Sequence, residues 1–120
     1  MWRNVTEMSS PELTAIQSAI GTIEERCPAE GSALRALGTR IALWDTRVLR
    51  FGTPLIGRFD DRTRTLLIWS QQGAQPGDGA EYPGGVRPSW TWVIAHEITR
   101  DMYPSWTDSQ RDARADYCSG

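Results

Sequence analysis

The sequence predicts an α+β fold, because helical and strand-like hydrophobic patterns occupy separate parts of the chain. Apolar residues recur at steps of three and four over residues 10–27, which is the period of an amphipathic helix. Between residues 40 and 69, short apolar runs with alternation predict strands. Two more helical segments follow: one that Ser89 can cap, and a last one that begins where Thr107 and Gln110 have the spacing of a capping box. We therefore expect a small, mainly antiparallel sheet packed against the first helix and the helix after Ser89, followed by a C-terminal helix.

The first helix carries a start signal and a stop signal. Ser9 and Glu12 have the spacing of a capping box, and Pro11 suits the first turn. Pro28 is expected to end the helix, and a short second helix is predicted over residues 32–37. The apolar face of the first helix comprises Leu13, Ile16, Ile20, Ile23 and Cys27.

Four segments are predicted to be strands, and most of them are joined by short connections. They are residues 40–44, 47–51, 54–59 and 64–69, with a turn at residues 60–63. Short connections favour hairpins, so we expect mostly antiparallel pairing in one sheet.

Residues 70–89 form a long segment with five glycines and three prolines. Loops of this length are usually binding loops, lids or disordered segments. We expect a long flexible loop here, which is either a mobile insertion or a flap over a site. Nothing in the chain indicates a repeat or a second domain, so residues 1–120 are interpreted as a single domain.

The composition excludes some classes of protein. The formal net charge is −2 and the pI is about 5.3, which does not suit a nucleic-acid binder. No apolar run approaches the roughly 18 residues of a membrane span, and the N-terminus lacks a signal-peptide core. We expect a cytoplasmic protein without a membrane or nucleic-acid partner, in which Cys27 and Cys118 are free thiols.

The helix after Ser89 contains the only histidine of the chain, His96, followed directly by Glu97. In the motif H-E-x-x-H, two imidazoles one helical turn apart bind zinc, and the glutamate activates a water molecule. Here the second histidine is replaced by Arg100. A guanidinium stays protonated and has no lone pair for a metal, so the usual set of ligands cannot form.

Three segments in this order resemble the zincin metallopeptidases: "RTRTLLI" at residues 62–68, "WVIAHEITRDMYP" at residues 92–104, and "RDARADYC" at residues 111–118. They look like the edge strand, the active-site helix and a downstream helix that several families write as E-x-x-A-D. The resemblance covers roughly residues 40–118.

The resemblance implies a position for the third zinc ligand. The leading acid of E-x-x-A-D falls on Asp112, so the implied metal ligands are His96 and Asp112, with Asp116, Asp101 or Cys118 as further candidates. Such a set suits zinc less well than imidazoles do, and we expect that zinc is not bound tightly.

Arg100 places a permanent positive charge about where the zinc would lie. We expect it to lie within salt-bridge reach of Asp112 on the last helix, or close enough for a bound anion or water to link them, and to pair with Glu97 three residues back. Glu97 and His96 would then serve as an acid–base pair, and Arg100 would hold a substrate carboxylate or an oxyanion. The predicted catalytic residues are therefore Glu97, His96 and Arg100. Nearby Trp90, Trp92 and Trp106 either line an aromatic pocket or fill the core.

Three functions remain open at this point. The chain is a small zincin-like metallohydrolase with an altered site, or a zincin-like fold that became a metal-free acid–base catalyst. The catalyst would be an isomerase, cyclase or lyase of a bacterial biosynthetic pathway. The third alternative is a catalytically inactive zincin-like binding module. A small molecule or a peptide is the expected substrate, and the sequence indicates no oligomeric state.

Overall fold

The computed structural model of the protein describes residues 2–37, 40–45, 49–50, 53–54, 56–70 and 89–120. Within these residues the helices are α1 (Ser10–Arg26), α2 (Pro28–Leu37), α3 (Trp90–Met102) and α4 (Asp108–Ser119). The strands are β1 (Trp2–Arg3), β2 (Ile41–Trp44), β3 (Leu49–Arg50), β4 (Thr53–Pro54), β5 (Gly57–Asp60) and β6 (Thr65–Trp69). The predicted α+β class, with its C-terminal helix, is confirmed.

The sheet pairing differs in part from the prediction. Four strands form one sheet in the order β1-β2-β6-β5, and β3 pairs with β4 in a separate two-stranded sheet. The outer pairs β1–β2 and β5–β6 are antiparallel, but the central pair β2–β6 is parallel. Because β5 and β6 form a hairpin, β2 reaches the other side of β6 through the longer connection of residues 45–64. That length is what a parallel pair requires.

Helix α3 packs between the sheet and the other helices. It contacts β5 and β6 on one side and α1, α2 and α4 on its other sides. Every residue of β2 and β6 is buried, as expected for strands covered on both faces. The buried apolar side chains that the structure describes form one cluster. None of the described helices is long and apolar enough to cross a bilayer.

The predicted helix starts are found where the capping signals stand. Ser9 and Thr107 form capping boxes with Glu12 and Gln110, and Ser89 caps α3 by accepting a hydrogen bond from the backbone of Trp92. Helix α2 begins at Pro28 and not at residue 32, so it is four residues longer than predicted. Proline is well tolerated in a first helical turn.

The predicted loop at 70–89 lies outside the described residues, apart from Ser70 and Ser89. Of these two residues, Ser70 is buried and Ser89 is exposed.

The prediction of free thiols is wrong for this structure. Cys27 and Cys118 form a disulfide, and both side chains are fully buried. Their Cα atoms lie 5.5 Å apart, within the usual range for a disulfide. Residues 91 positions apart reveal no such proximity in the sequence. The packing of α4 against the end of α1 creates it.

Arg3 joins three elements at the edge of the sheet. Its guanidinium donates to both carboxylate oxygens of Glu12 on α1 and to both of Asp45 after β2, at 2.7–2.9 Å. The Ser70 hydroxyl also donates to Asp45, at 2.6 Å. These contacts hold the two-residue strand β1 in place. The hydrogen bonds from Arg3 lower the pKa of Glu12 to about 2, and those from Arg3 and Ser70 lower the pKa of Asp45 to about 2.

Replacing Arg3 by glutamine should therefore reduce stability in a pH-dependent way. Both carboxyl groups have folded-state pKa values below their unfolded values of about 4, so their contribution is fully present above about pH 4 and is lost as the pH falls through about 2. We expect Arg3→Gln to lower the free energy of unfolding by about 1 kcal/mol at pH 7. In urea titrations the difference from the parent should shrink towards zero at pH 2. The control is Arg35→Gln, whose pair with Glu24 is more exposed. A difference that does not change between pH 7 and pH 2 would contradict the assignment.

Candidate functional site

Two pairs of residues link α3 and α4 side by side. His96 Nε2 lies 3.1 Å from Asp112 Oδ1, and Trp92 Nε1 donates to Asp116 Oδ1 at 2.7 Å. In each helix the two residues are four positions apart, so they project from the same face. The two helices run antiparallel here, because the earlier residue of α3 meets the later residue of α4. The resemblance placed His96 and Asp112 in one site, and the structure brings these two residues together.

The imidazole of His96 has a carboxylate at each nitrogen. Nδ1 lies 3.2 Å from Glu97 Oε2, and Nε2 faces Asp112 on the other side. The ring also stacks on the indole of Trp92, with centroids 4.8 Å apart and planes 10° from parallel. The His96 side chain is 19% exposed, and that of Asp112 is 55% exposed. The ring is therefore fixed in orientation but still reachable from solvent on the Asp112 side.

Glu97 is buried between α3 and the sheet, with only 5% of the residue exposed. Its Oε2 faces His96, whereas Oε1 has no hydrogen-bond partner among the described residues. A buried carboxyl oxygen without a partner is costly, and a catalytic role is one explanation for such a group. Of the residues in this group, Glu97 is the one whose burial is least accounted for by its hydrogen bonds.

Gly57 of β5 makes room for Glu97. A Cβ atom on Gly57 would lie 2.5 Å from Val93 Cγ1 and 3.2 Å from Glu97 Cγ. Both distances are shorter than ordinary van der Waals contact, so a side chain at this position would push α3 away from the sheet. Gly57 was not among the predicted site residues, although an isolated glycine in a strand pattern indicates that another part of the protein approaches the strand closely.

Arg100 is not where the sequence analysis placed it. It is exposed, and among the described residues it forms no ion pair. Asp112 faces His96 instead, and Glu97 faces the same ring. The predicted direct ion pairs of Arg100 with Asp112 and Glu97 are therefore wrong, and a link to Asp112 through a bound anion or water stays a prediction. Asp112 meets the imidazole because it lies on the α4 face opposite His96.

The further candidate ligands have other partners. Asp101 forms two hydrogen bonds with Arg64, both at 2.8 Å. Asp116 accepts from Trp92, and Cys118 is in the disulfide. Among the described residues, only one group of three or more metal-binding side chains has its donor atoms within 4.8 Å of one another, and this group contains Cys118 but not His96. His96 and Asp112 thus lack a third protein ligand in the described residues, and this donor set fits zinc poorly.

The three tryptophans that were predicted to lie near the site have different environments. Trp90 is buried in the core, and Trp92 stacks on His96. Trp106 stacks on Tyr103, with centroids 4.1 Å apart, and lies at an open pocket on another face of α4. Only Trp92 of these three contacts His96 in the described structure. Its spacing of four from His96, matched by the spacing of Asp112 and Asp116, is the signal that the sequence offered for this arrangement.

No protein family matches the chain, and no curated protein or solved structure matches it either. The resemblance to zincins is therefore a prediction that these comparisons leave untested. The segments that suggested it are β6 with the turn before it, α3 and α4.

Replacing Gly57 by alanine should destabilise the protein through the contact between β5 and α3. The added methyl group overpacks a site next to Val93, which typically costs about 1–3 kcal/mol. The matched control is Gly21→Ala in α1, where a Cβ meets no atom within 4 Å. That change should be neutral or stabilising by up to about 1 kcal/mol. Chemical denaturation of the three proteins measures both effects. A Gly57→Ala protein as stable as the parent would show that α3 does not approach β5 this closely.

Proposed function

We propose that the protein is a metal-free acid–base catalyst that transfers a proton within a small-molecule or peptide substrate. One observation carries this proposal: the only histidine is held between two carboxylates, one buried and one exposed. Such a unit suits an isomerase, cyclase or lyase reaction, in which a proton is moved. A bacterial biosynthetic pathway is the setting that we expect for it.

The proton count of the group supports this use. A neutral imidazole carries one N–H, and a protonated one carries two. When the group holds two protons, they lie either on a protonated ring that faces two carboxylates, or on a neutral ring and one carboxylic acid. These arrangements differ only in the position of one proton. His96 and Glu97 can therefore exchange a proton without rearranging the site, which general acid–base catalysis requires.

The three residues would have different roles. Asp112 is exposed and orients the His96 ring from the solvent side. Glu97 is buried next to the ring and exchanges a proton with it. Arg100 lies one turn beyond His96 on the exposed side of α3. It is suited to bind a substrate carboxylate or an oxyanion, and we keep it among the proposed catalytic residues with Glu97 and His96.

A metallohydrolase is a weaker candidate on this geometry. It would use His96 and Asp112 as zinc ligands, but the candidates for a third ligand are engaged elsewhere. Two ligands hold zinc less well than the three protein ligands of catalytic sites. The expectation that zinc is not bound tightly at His96 remains a prediction.

A catalytically inactive zincin-like binding module is the second candidate, and one observation favours it. Both ring nitrogens of His96 are occupied, and the ring is stacked on Trp92, which is also how a structural histidine is held. In that case the site would retain its shape but would not accelerate a reaction.

The cytoplasmic location and the absence of nucleic-acid and membrane partners also remain proposals. The net charge of −2 supports the absence of nucleic acid. The disulfide weighs against a reducing compartment, since structural disulfides are rare in the cytosol.

The catalytic proposal is tested with a probe that reports proton abstraction without knowledge of the natural substrate. We expect the protein to accelerate the base-promoted ring opening of 5-nitrobenzisoxazole. The reaction is monitored by the absorbance of the ring-opened product. Glu97→Gln and His96→Gln should each lower the rate constant by at least about 100-fold, which is typical of general acid–base residues. Asp108→Asn is the matched control, because this acid is exposed on α4, one turn before Asp112. It should leave the rate unchanged.

Two results would contradict the proposal. If folded Glu97→Gln and His96→Gln proteins retain the rate of the parent, or if the parent shows none, the binding module is favoured. If a chelator abolishes the activity and zinc restores it, the metallohydrolase is favoured.

A further inference from the structure

A second cluster of reactive side chains lies away from His96, where three helix ends meet. It consists of Cys27 after α1, Glu30 in the first turn of α2 and Cys118 in the last turn of α4. All three residues are fully buried. Their donor atoms lie within 4.8 Å of one another. The acid–base chemistry proposed for His96 uses none of them.

Glu30 is not explained by the disulfide beside it. Its Oε2 lies 3.5 Å from Cys118 Sγ, and the Arg114 guanidinium donates to both of its oxygens, at 2.6 and 3.3 Å. A disulfide packs equally well against an apolar side chain. A fully buried carboxylate instead needs compensation, which Arg114 provides. Glu30 therefore carries a buried charge that pairs with Arg114 but that the disulfide does not require.

We propose that reduction of the disulfide converts this cluster into a zinc site, with Cys27 Sγ, Cys118 Sγ and the Glu30 carboxylate as ligands. A dithiol or phosphine reductant supplies two electrons and, with solvent, two protons, so that the S–S bond becomes two thiols and the reductant is oxidised. Zinc then displaces the two thiol protons, which are released to water. A water molecule completes the four-coordinate shell.

The donor set matches the preferences of zinc. Thiolates and carboxylates are both common zinc ligands, at about 2.3 Å and 2.0–2.2 Å. Cys27 and Glu30 are three positions apart in the sequence, a spacing that recurs between paired ligands in structural zinc sites. After reduction, rotation of the cysteine side chains separates the sulfurs, and the backbone does not need to move.

The charges also balance. Two thiolates and a carboxylate carry three negative charges, which Zn²⁺ and the Arg114 guanidinium neutralise. Arg114 would remain bonded to the ligating carboxylate and orient it, as outer-shell partners of metal ligands do.

The cluster has an entry route along Arg114. The side chain of Arg114 is 33% exposed, and it lines the open pocket together with Trp106, Gln110, Ala113 and Tyr117. The inner end of the same side chain contacts Glu30. A temporary displacement of the Arg114 side chain would therefore let a metal ion reach the carboxylate.

The test compares zinc binding by the oxidised and the reduced protein. Zinc chloride is titrated anaerobically against a chromophoric chelator, and cobalt is used as a spectroscopic probe for thiolate ligands. We expect one zinc per reduced chain, no binding by the oxidised chain, and sulfur-to-cobalt charge-transfer bands in the reduced form only. Glu30→Gln should weaken zinc binding by about tenfold or more.

Two variants serve as controls, and one guards against misfolding. Glu24→Gln, which breaks the more exposed pair with Arg35, should bind zinc like the parent. His96→Gln should do the same, which makes this result independent of the proposed function. If Glu30→Gln does not fold, Cys118→Ser keeps Glu30 and Arg114, and should lose about half of the charge-transfer intensity together with most of the affinity.

Equal zinc binding by the oxidised and reduced chains would overturn the proposal. A Glu30→Gln protein that is folded and binds zinc like the parent would also overturn it, because Glu30 would then not be a ligand. Loss of zinc binding in His96→Gln would move the site to α3.

Discussion

Helix α3 must bury side chains on opposite sides at once, and the rest of the structure depends on this constraint. One side packs against the sheet, where Gly57 admits Val93 and Glu97. Other sides pack against α1, α2 and α4. A helix in this position has few directions left for polar residues. His96 points along the boundary with α4, and Glu97 points into the protein, so neighbouring residues of one helix end in different environments.

The position of α4 follows from the same constraint. Along its length it meets α3 through the contacts of Asp112 with His96 and of Asp116 with Trp92. At its last turn the disulfide joins Cys118 to the end of α1, and Glu30 and Arg114 lie beside it. The carboxylate at His96 Nε2 is therefore held by a helix that is fixed both along its length and at its end. Changes at the disulfide, including reduction, act on the same helix that orients the histidine.

The sequence predicted the parts of the fold that depend on local signals. The capping residues Ser9, Ser89 and Thr107 mark helix starts that the structure confirms, and the apolar run at 64–69 is the buried strand β6. The parallel pairing of β2 with β6 was missed because it depends on the long-range placement of the β5–β6 hairpin. No local pattern reports such a contact.

The site was predictable in its members but not in all of its contacts. The resemblance implied that His96 and Asp112 share a site, and they are neighbours. The pairing of Arg100 with Asp112 failed, because a guanidinium at the solvent side of α3 gains little from leaving water. The disulfide and Gly57 were missed because both depend on distances between elements far apart in the sequence.

His96 is held at both ring nitrogens, by Glu97 at Nδ1 and by Asp112 at Nε2. Because the chain has one histidine, a ¹⁵N spectrum of the imidazole contains a single ring and needs no assignment between residues. Glu97→Gln should shift the Nδ1 resonance much more than that of Nε2, and Asp112→Asn should do the reverse. If neither substitution shifts its own nitrogen, or if both act only on Nε2, the histidine is not held between these carboxylates and the account of the site is wrong.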